Sequence, residues 1–139
     1  VGAVEEVKKW CGDNKIRMSD FEEAINTSIS PFLSEAIIHL QEKLEGKDHP
    51  HYFLVNRLYD LFNYTIWEAD KFVEGYDDVP PTLVRWVGYT ANAYWLTYKG
   101  QYEEALKELE KMADEVYPVW EWLRKELGLP MKSVEPAER

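Results

Sequence analysis

Asp48, His49 and His51 bring two imidazoles and a carboxylate together in one short stretch. These are zinc-ligand types, so the stretch is the first candidate for chemistry. The polar start of a helix uses the same residues, and that reading is preferred, with no metal expected. Glu42 with Glu45 and Glu74 with Asp77 are carboxylate pairs spaced by one helical turn. Each pair sits at the end of its helix, and the two helices follow one another in antiparallel order. That places the pairs at opposite ends of a bundle, on the order of 30 Å apart, too far for one metal to bridge. Cys11 is the sole cysteine, so no internal disulfide can form. It has no histidine beside it in sequence and is expected to be a small buried apolar residue. The Glu-x-x-His spacing of di-iron bundles and a Gly-rich phosphate loop are both missing from the sequence. No catalytic residue and no cofactor are expected.

The elements that position these residues are helices. Val4, Val7, Trp10 and Cys11 make a stripe on a short first helix over residues 3–11, ended by Gly12-Asp13-Asn14. Ser19-Asp20-Phe21-Glu22 has the form of a capping box and predicts a helix start near Asp20. Its stripe runs Phe21, Ala24/Ile25, Ser28/Ile29, Phe32, Ala36, Leu40 and Leu44, straight through Pro31. One kinked helix to Glu45 fits, and two helices meeting at Ser30 fit almost as well. Asp48-His49-Pro50 opens the next helix, with proline at its first position. Its stripe is Leu54/Val55, Leu58, Phe62, Thr65/Ile66, Ala69 and Phe72/Val73, and Gly75 is its predicted end. The last helix, from Gln101 to Leu127, carries Pro118 inside it. Short turns between long helices predict antiparallel neighbours. The expectation is an all-α fold: an up-down antiparallel four-helix bundle with a short additional N-terminal helix. It forms one domain over residues 1–130, followed by a disordered tail over 131–139.

The stretch from Thr82 to Lys99 breaks the pattern. It is apolar nearly all round, with Arg85 and Lys99 as its charges. A helix without a polar face is normally buried on more than one side. It is either the central helix of the bundle or shared with a second molecule. The chain also holds 6 Trp and 9 Tyr against 5 Phe, and Tyr and Trp suit surfaces that are half apolar and half wet. Trp86, Tyr89, Trp95, Tyr98, Tyr102, Trp120 and Trp122 are therefore the candidate contact residues. A thin rod that shares its rings between core and surface would use the same composition.

Tyr89, Ala93, Gly100-Gln101-Tyr102, Ala105 and Pro118 fall at the marked positions of a helical hairpin. On these residues, Trp86 to Pro118 resembles a single tetratricopeptide repeat. The pattern departs at Leu96, at Met112 and at the proline, which comes one residue late, and no tandem copy precedes it. The resemblance implies protein–protein binding.

Composition narrows the classes further. Hydrophobic residues are 45% and charged residues 30%, enough for a core and a wet surface. A net charge of -10 argues against nucleic acid and against anionic lipid. No run approaches the roughly 18 apolar residues of a membrane span. The opening VGAVEEVKKW has no signal-peptide core, and with a lone cysteine a cytoplasmic setting is expected. Abundant Glu and Lys with Gln limited to Gln41 and Gln101 fit a thermophilic source. The expected function is a non-enzymatic interaction or scaffold module, paired as a homodimer or with another protein through the aromatic-rich helix. The alternatives are a small metal-dependent hydrolase, similar to the all-α nucleotide pyrophosphohydrolases, and a carrier with an aromatic ligand pocket.

Overall fold

The computed structural model describes residues 2–14 and 16–131. Most of the expected tail, residues 132–139, lies outside the described residues. The fold is all-helical, and no strand occurs among the described residues. Its elements are α1 (Ala3–Asn14), α2 (Met18–Ala24), a π turn (Ile25–Ile29), α3 (Ser30–Leu44), α4 (His51–Tyr76), α5 (Pro81–Tyr98) and α6 (Tyr102–Glu126). α2, the π turn and α3 run on without a break, so the described residues form five helices.

α3 packs on α4 and α6, and α5 packs on the same two helices. α1 lies against α6 and α5. Trp10, Phe21, Phe72 and Trp86 meet in one buried aromatic cluster, with ring centroids 5.6 to 6.1 Å apart. α1, α5 and α6 are also tied by charge. The Arg85 guanidinium donates to Glu6 at 2.6 Å and to Glu115 at 2.7 Å. Trp86 Nε1 and Tyr89 Oη both donate to the Glu115 carboxylate at 3.1 Å. Burial pushes that carboxyl up, but these donors outweigh burial and hold it below its ordinary range.

Several local expectations need correction. α1 runs through Gly12 to Asn14; the Lys9–Asp13 ion pair spans its last turn, and Ile16 N–H closes on the Cys11 carbonyl at 3.2 Å. The capping box does not form: α2 begins at Met18, and its start has no side-chain cap. Glu22 is instead buried and accepts from Arg124 Nη1 at 2.9 Å, 102 residues away. A carboxylate held by a buried guanidinium cannot also reach back to the helix start.

Pro31 neither breaks the helix nor leaves it regular. It has no N–H to give the Thr27 carbonyl, and its ring crowds that carbonyl. One wide turn relieves the clash, with Ser30 N–H bonding to the Ile25 carbonyl, five residues back. Proline and π turns are recognised causes of such local distortion. The wider turn shifts the phase of the α3 residues after it. Leu33, not Phe32, enters the core, while Phe32 is half-buried and stacks on Tyr64 at 4.4 Å. Leu44 lies exposed at the helix end. α6, by contrast, passes through Pro118 as continuous α-helix.

α4 begins at His51, after Pro50, and runs past Gly75 to Tyr76. Asp77 ends it in the left-handed region at φ 59°, with its N–H on the Val73 carbonyl at 2.9 Å. Aspartate tolerates that conformation better than most residues do. Gly100 takes φ 81° between α5 and α6, which lets Gln101 N–H reach back to the Leu96 carbonyl at 2.8 Å. This closure turns the chain at once. The seam of α4 is Leu54, Leu58, Leu61, Thr65, Glu68 and Phe72. The period matches the expectation, but the phase is one residue off at Leu61 and Glu68.

Candidate functional site

α5 buries Thr82, Leu83, Trp86, Thr90, Ala93 and Thr97. That is one stripe at alternating steps of three and four, as in a bundle seam. The helix is therefore not enclosed within this chain. Half of its buried positions are threonine, while large rings point outward. Thr90 Oγ1 bonds to the Val87 carbonyl at 2.8 Å. Thr97 Oγ1 is buried without a hydrogen-bond partner.

The outer side carries the apolar bulk. Trp95 and Tyr98 are each 56% exposed and Val84 is 53% exposed. Trp95 and Tyr98 stack at 5.7 Å with an interplanar angle of 11°, as neighbours one turn apart. Tyr94 extends the surface onto α4, with its ring 6.1 Å from Phe62 and 5.9 Å from Tyr59. Tyr59 is 49% exposed. The Lys99 ammonium lies over the Trp95 ring at 5.6 Å, and Arg85 at the far end is committed to Glu6 and Glu115. The outer row of α5 is otherwise uncharged: Pro81, Val84, Gly88, Asn92, Trp95 and Tyr98. It can offer a partner apolar contact and ring stacking.

The seven expected contact residues separate into three groups. Trp95 and Tyr98 lie on the outer face. Trp86 is fully buried and Trp120 is 3% exposed. Both are core residues of this chain and are withdrawn as contact residues, because neither presents a surface. Tyr89, Tyr102 and Trp122 are half-buried. Tyr89 is held by Glu115, and Tyr102 Oη lies 2.6 Å from His51 Nδ1 at another part of the molecule. Tyr59 is exposed, Phe62 and Tyr94 are half-buried beside it, and sequence reasoning missed all three as contact residues. Phe62 stood inside the expected α4 stripe, which marked it as core rather than contact.

The structure does not assemble Asp48, His49 and His51 into a ligand set. His49 Nε2 lies 3.0 Å from Glu42 Oε1, whereas His51 turns to Tyr102. No group of three or more potential metal ligands occurs among the described residues. Glu42 is also taken by Lys47 at 2.7 Å, and these partners hold its carboxyl below its ordinary range. Glu45, Glu74 and Asp77 are exposed near the ends of α3 and α4. Cys11 is buried, and burial pushes its thiol up, away from the reactive thiolate. No helix among the described residues is long and apolar enough to cross a membrane.

Comparison with known proteins finds no family model, no curated protein and no solved structure that matches this chain.

Proposed function

We propose that this chain is a non-enzymatic protein–protein interaction module that pairs as a homodimer through the outer face of α4 and α5. The carrying observation is the inversion of α5, with threonines inside and Trp95 and Tyr98 outside. Exposed rings that lie together mark contact sites more often than scattered ones do. A second copy suits the face on charge. The molecule carries -10, so two copies repel wherever acidic surfaces meet. An uncharged strip is where that repulsion is least.

The same proposal includes the chain path: α3, α4, α5 and α6 as an up-down antiparallel four-helix bundle, with α1 as the short additional helix. The pairwise packing of these four helices supports it. The tetratricopeptide-like hairpin from Trp86 to Pro118 supports the interaction class. A lone buried cysteine suits a cytoplasmic setting.

Trp95→Glu and Tyr98→Glu test the interface by sedimentation and circular dichroism. Each should convert a dimer to monomer while the helical spectrum and the unfolding midpoint stay near wild type. Truncating a central aromatic contact costs about 2 kcal/mol or more, roughly a 30-fold loss in affinity. Loss of helix in both variants would mean the rings support the fold and would sink the proposal.

A further inference from the structure

A second site lies away from the α4–α5 outer face. Arg17, α2 and the C-terminal half of α4 line an open cavity of about 590 Å³. That falls within the ~300–1,000 Å³ usual for small-ligand sites. Its lining includes Ala24 and Phe72 as apolar surface, Tyr76 as a wall, and Asp20, Glu23 and Glu68 as carboxylates. Phe72 and Tyr76 stack with centroids 6.0 Å apart.

Glu68 is the unusual member. It sits in the seam of α4, between Thr65 and Phe72, at 2% exposure. A buried charge there costs several kcal/mol of desolvation, and an apolar residue would satisfy the packing. The π turn supplies one partner, since Ser28 Oγ donates to Glu68 Oε2 at 2.6 Å. π turns concentrate at functional sites. The other oxygen, Oε1, accepts from Lys71 Nζ at 3.2 Å. Lys71 is half exposed, and its ammonium also lies over the Trp67 ring at 4.4 Å.

We propose that this cavity binds a small organic cation, an alkylammonium or guanidinium, with Glu68 as its charge partner. Lys71 already displays the chemistry, as an ammonium on an aliphatic stem between a carboxylate and an aromatic ring. A ligand ammonium takes that place, and the exposed Lys71 side chain swings into water. Asp20 and Glu23 then receive a second positive group near the rim. Asp20 is shared with Tyr76 Oη and with Arg17 Nε at 3.5 Å, and the Arg17 side chain is 77% exposed and free to yield. Three carboxylates face two displaceable cations, within a molecule of charge -10. An anion of the same size has no such balance. The cation site does not depend on the dimer.

Titration calorimetry with 1,5-diaminopentane, agmatine, butylamine and glutarate tests it. The two dications should bind at least about tenfold tighter than butylamine, because a second charge-assisted contact forms at the rim, and glutarate should give no heat. Glu68→Gln keeps the shape and an acceptor for Ser28 but removes the charge, and should lose binding by about tenfold or more. Lys71→Met removes the internal competitor and should tighten binding. Equal affinity in wild type and Glu68→Gln would overturn the site. So would no heat from any cation with both wild type and Lys71→Met, or heat from magnesium ion alone. If Glu68→Gln fails to fold, Lys71→Met against wild type decides the matter, with unchanged affinity counting against the site.

Discussion

α5 and α6 lie side by side and share a core, yet their outer faces differ completely. α6 exposes Glu103, Glu104, Lys107, Glu110, Lys111, Asp114, Glu121, Lys125 and Glu126. α5 exposes Val84, Gly88, Asn92, Trp95 and Tyr98, with Lys99 at its end. Both bury a stripe at steps of three and four. The bundle therefore needs only one apolar stripe per helix, and α6 shows that a wet outer face is compatible with it. The second apolar face of α5 is surplus to folding. α5 even buries threonines while Trp95 stays in water, the reverse of what core packing favours.

Substitutions inside the shared core should give the largest effects. Trp86→Ala should cost about 3–5 kcal/mol in urea unfolding, the usual loss for a buried large aromatic. Arg124→Ala should cost a similar ~3–5 kcal/mol, because it strands Glu22 as a buried charge without its partner. Stability near wild type for either would erase the distinction between core and face.

Next comes the face itself, extended to α4. Tyr59→Glu should weaken self-association by about 2 kcal/mol, the level of a hot-spot residue, with monomer stability changed by no more than about 0.5 kcal/mol, as for most surface substitutions. A change in stability with unchanged association would confine the contact to α5. Thr97→Val sharpens the inversion from inside. It removes a buried hydroxyl that has no partner and should stabilise by about 1 kcal/mol, read from the urea midpoint.

The smallest effect belongs to the wet face of α6, and a pH-dependent one to its tie to Arg85 and α1. Glu103→Ala removes an exposed pair with Lys107 and should shift stability by about 0.3 kcal/mol. Glu115 has a depressed pKa in the fold. Its contribution is thus complete above the ordinary carboxylate pKa of about 4.3 and is lost as pH falls through the lower folded value. Glu115→Gln should flatten that acid-side decline, as followed by thermal unfolding between neutral pH and acid.

The helices and their order were legible because a period of three and four residues survives in every segment. Phase was less so. Phe62 and Leu61 both continue the α4 stripe from Leu58, at four and three residues, and spacing alone does not choose; the fold buries Leu61 and leaves Phe62 half-buried. The π turn before Pro31 moved the core position from Phe32 to Leu33, a shift that no local pattern announces. Glu22 and Glu68 were hidden for a different reason. Their partners, Arg124 and Ser28, lie 102 and 40 residues away, and a charge in an apolar stripe reads as its edge until the partner is known. The excess of apolar surface on α5 was visible in the sequence, but which rings it exposes was not. Trp86 and Trp95 look alike in sequence, and only the position of the seam separates them.

The most direct test of the dimer is the mass in solution, measured by light scattering over a wide dilution series. Pairing through the outer face of α4 and α5 predicts twice the chain mass of 16.4 kDa, falling to one chain only at high dilution. A mass of one chain throughout, up to high concentration, would contradict it and leave the outer face of α5 without a second copy to cover it.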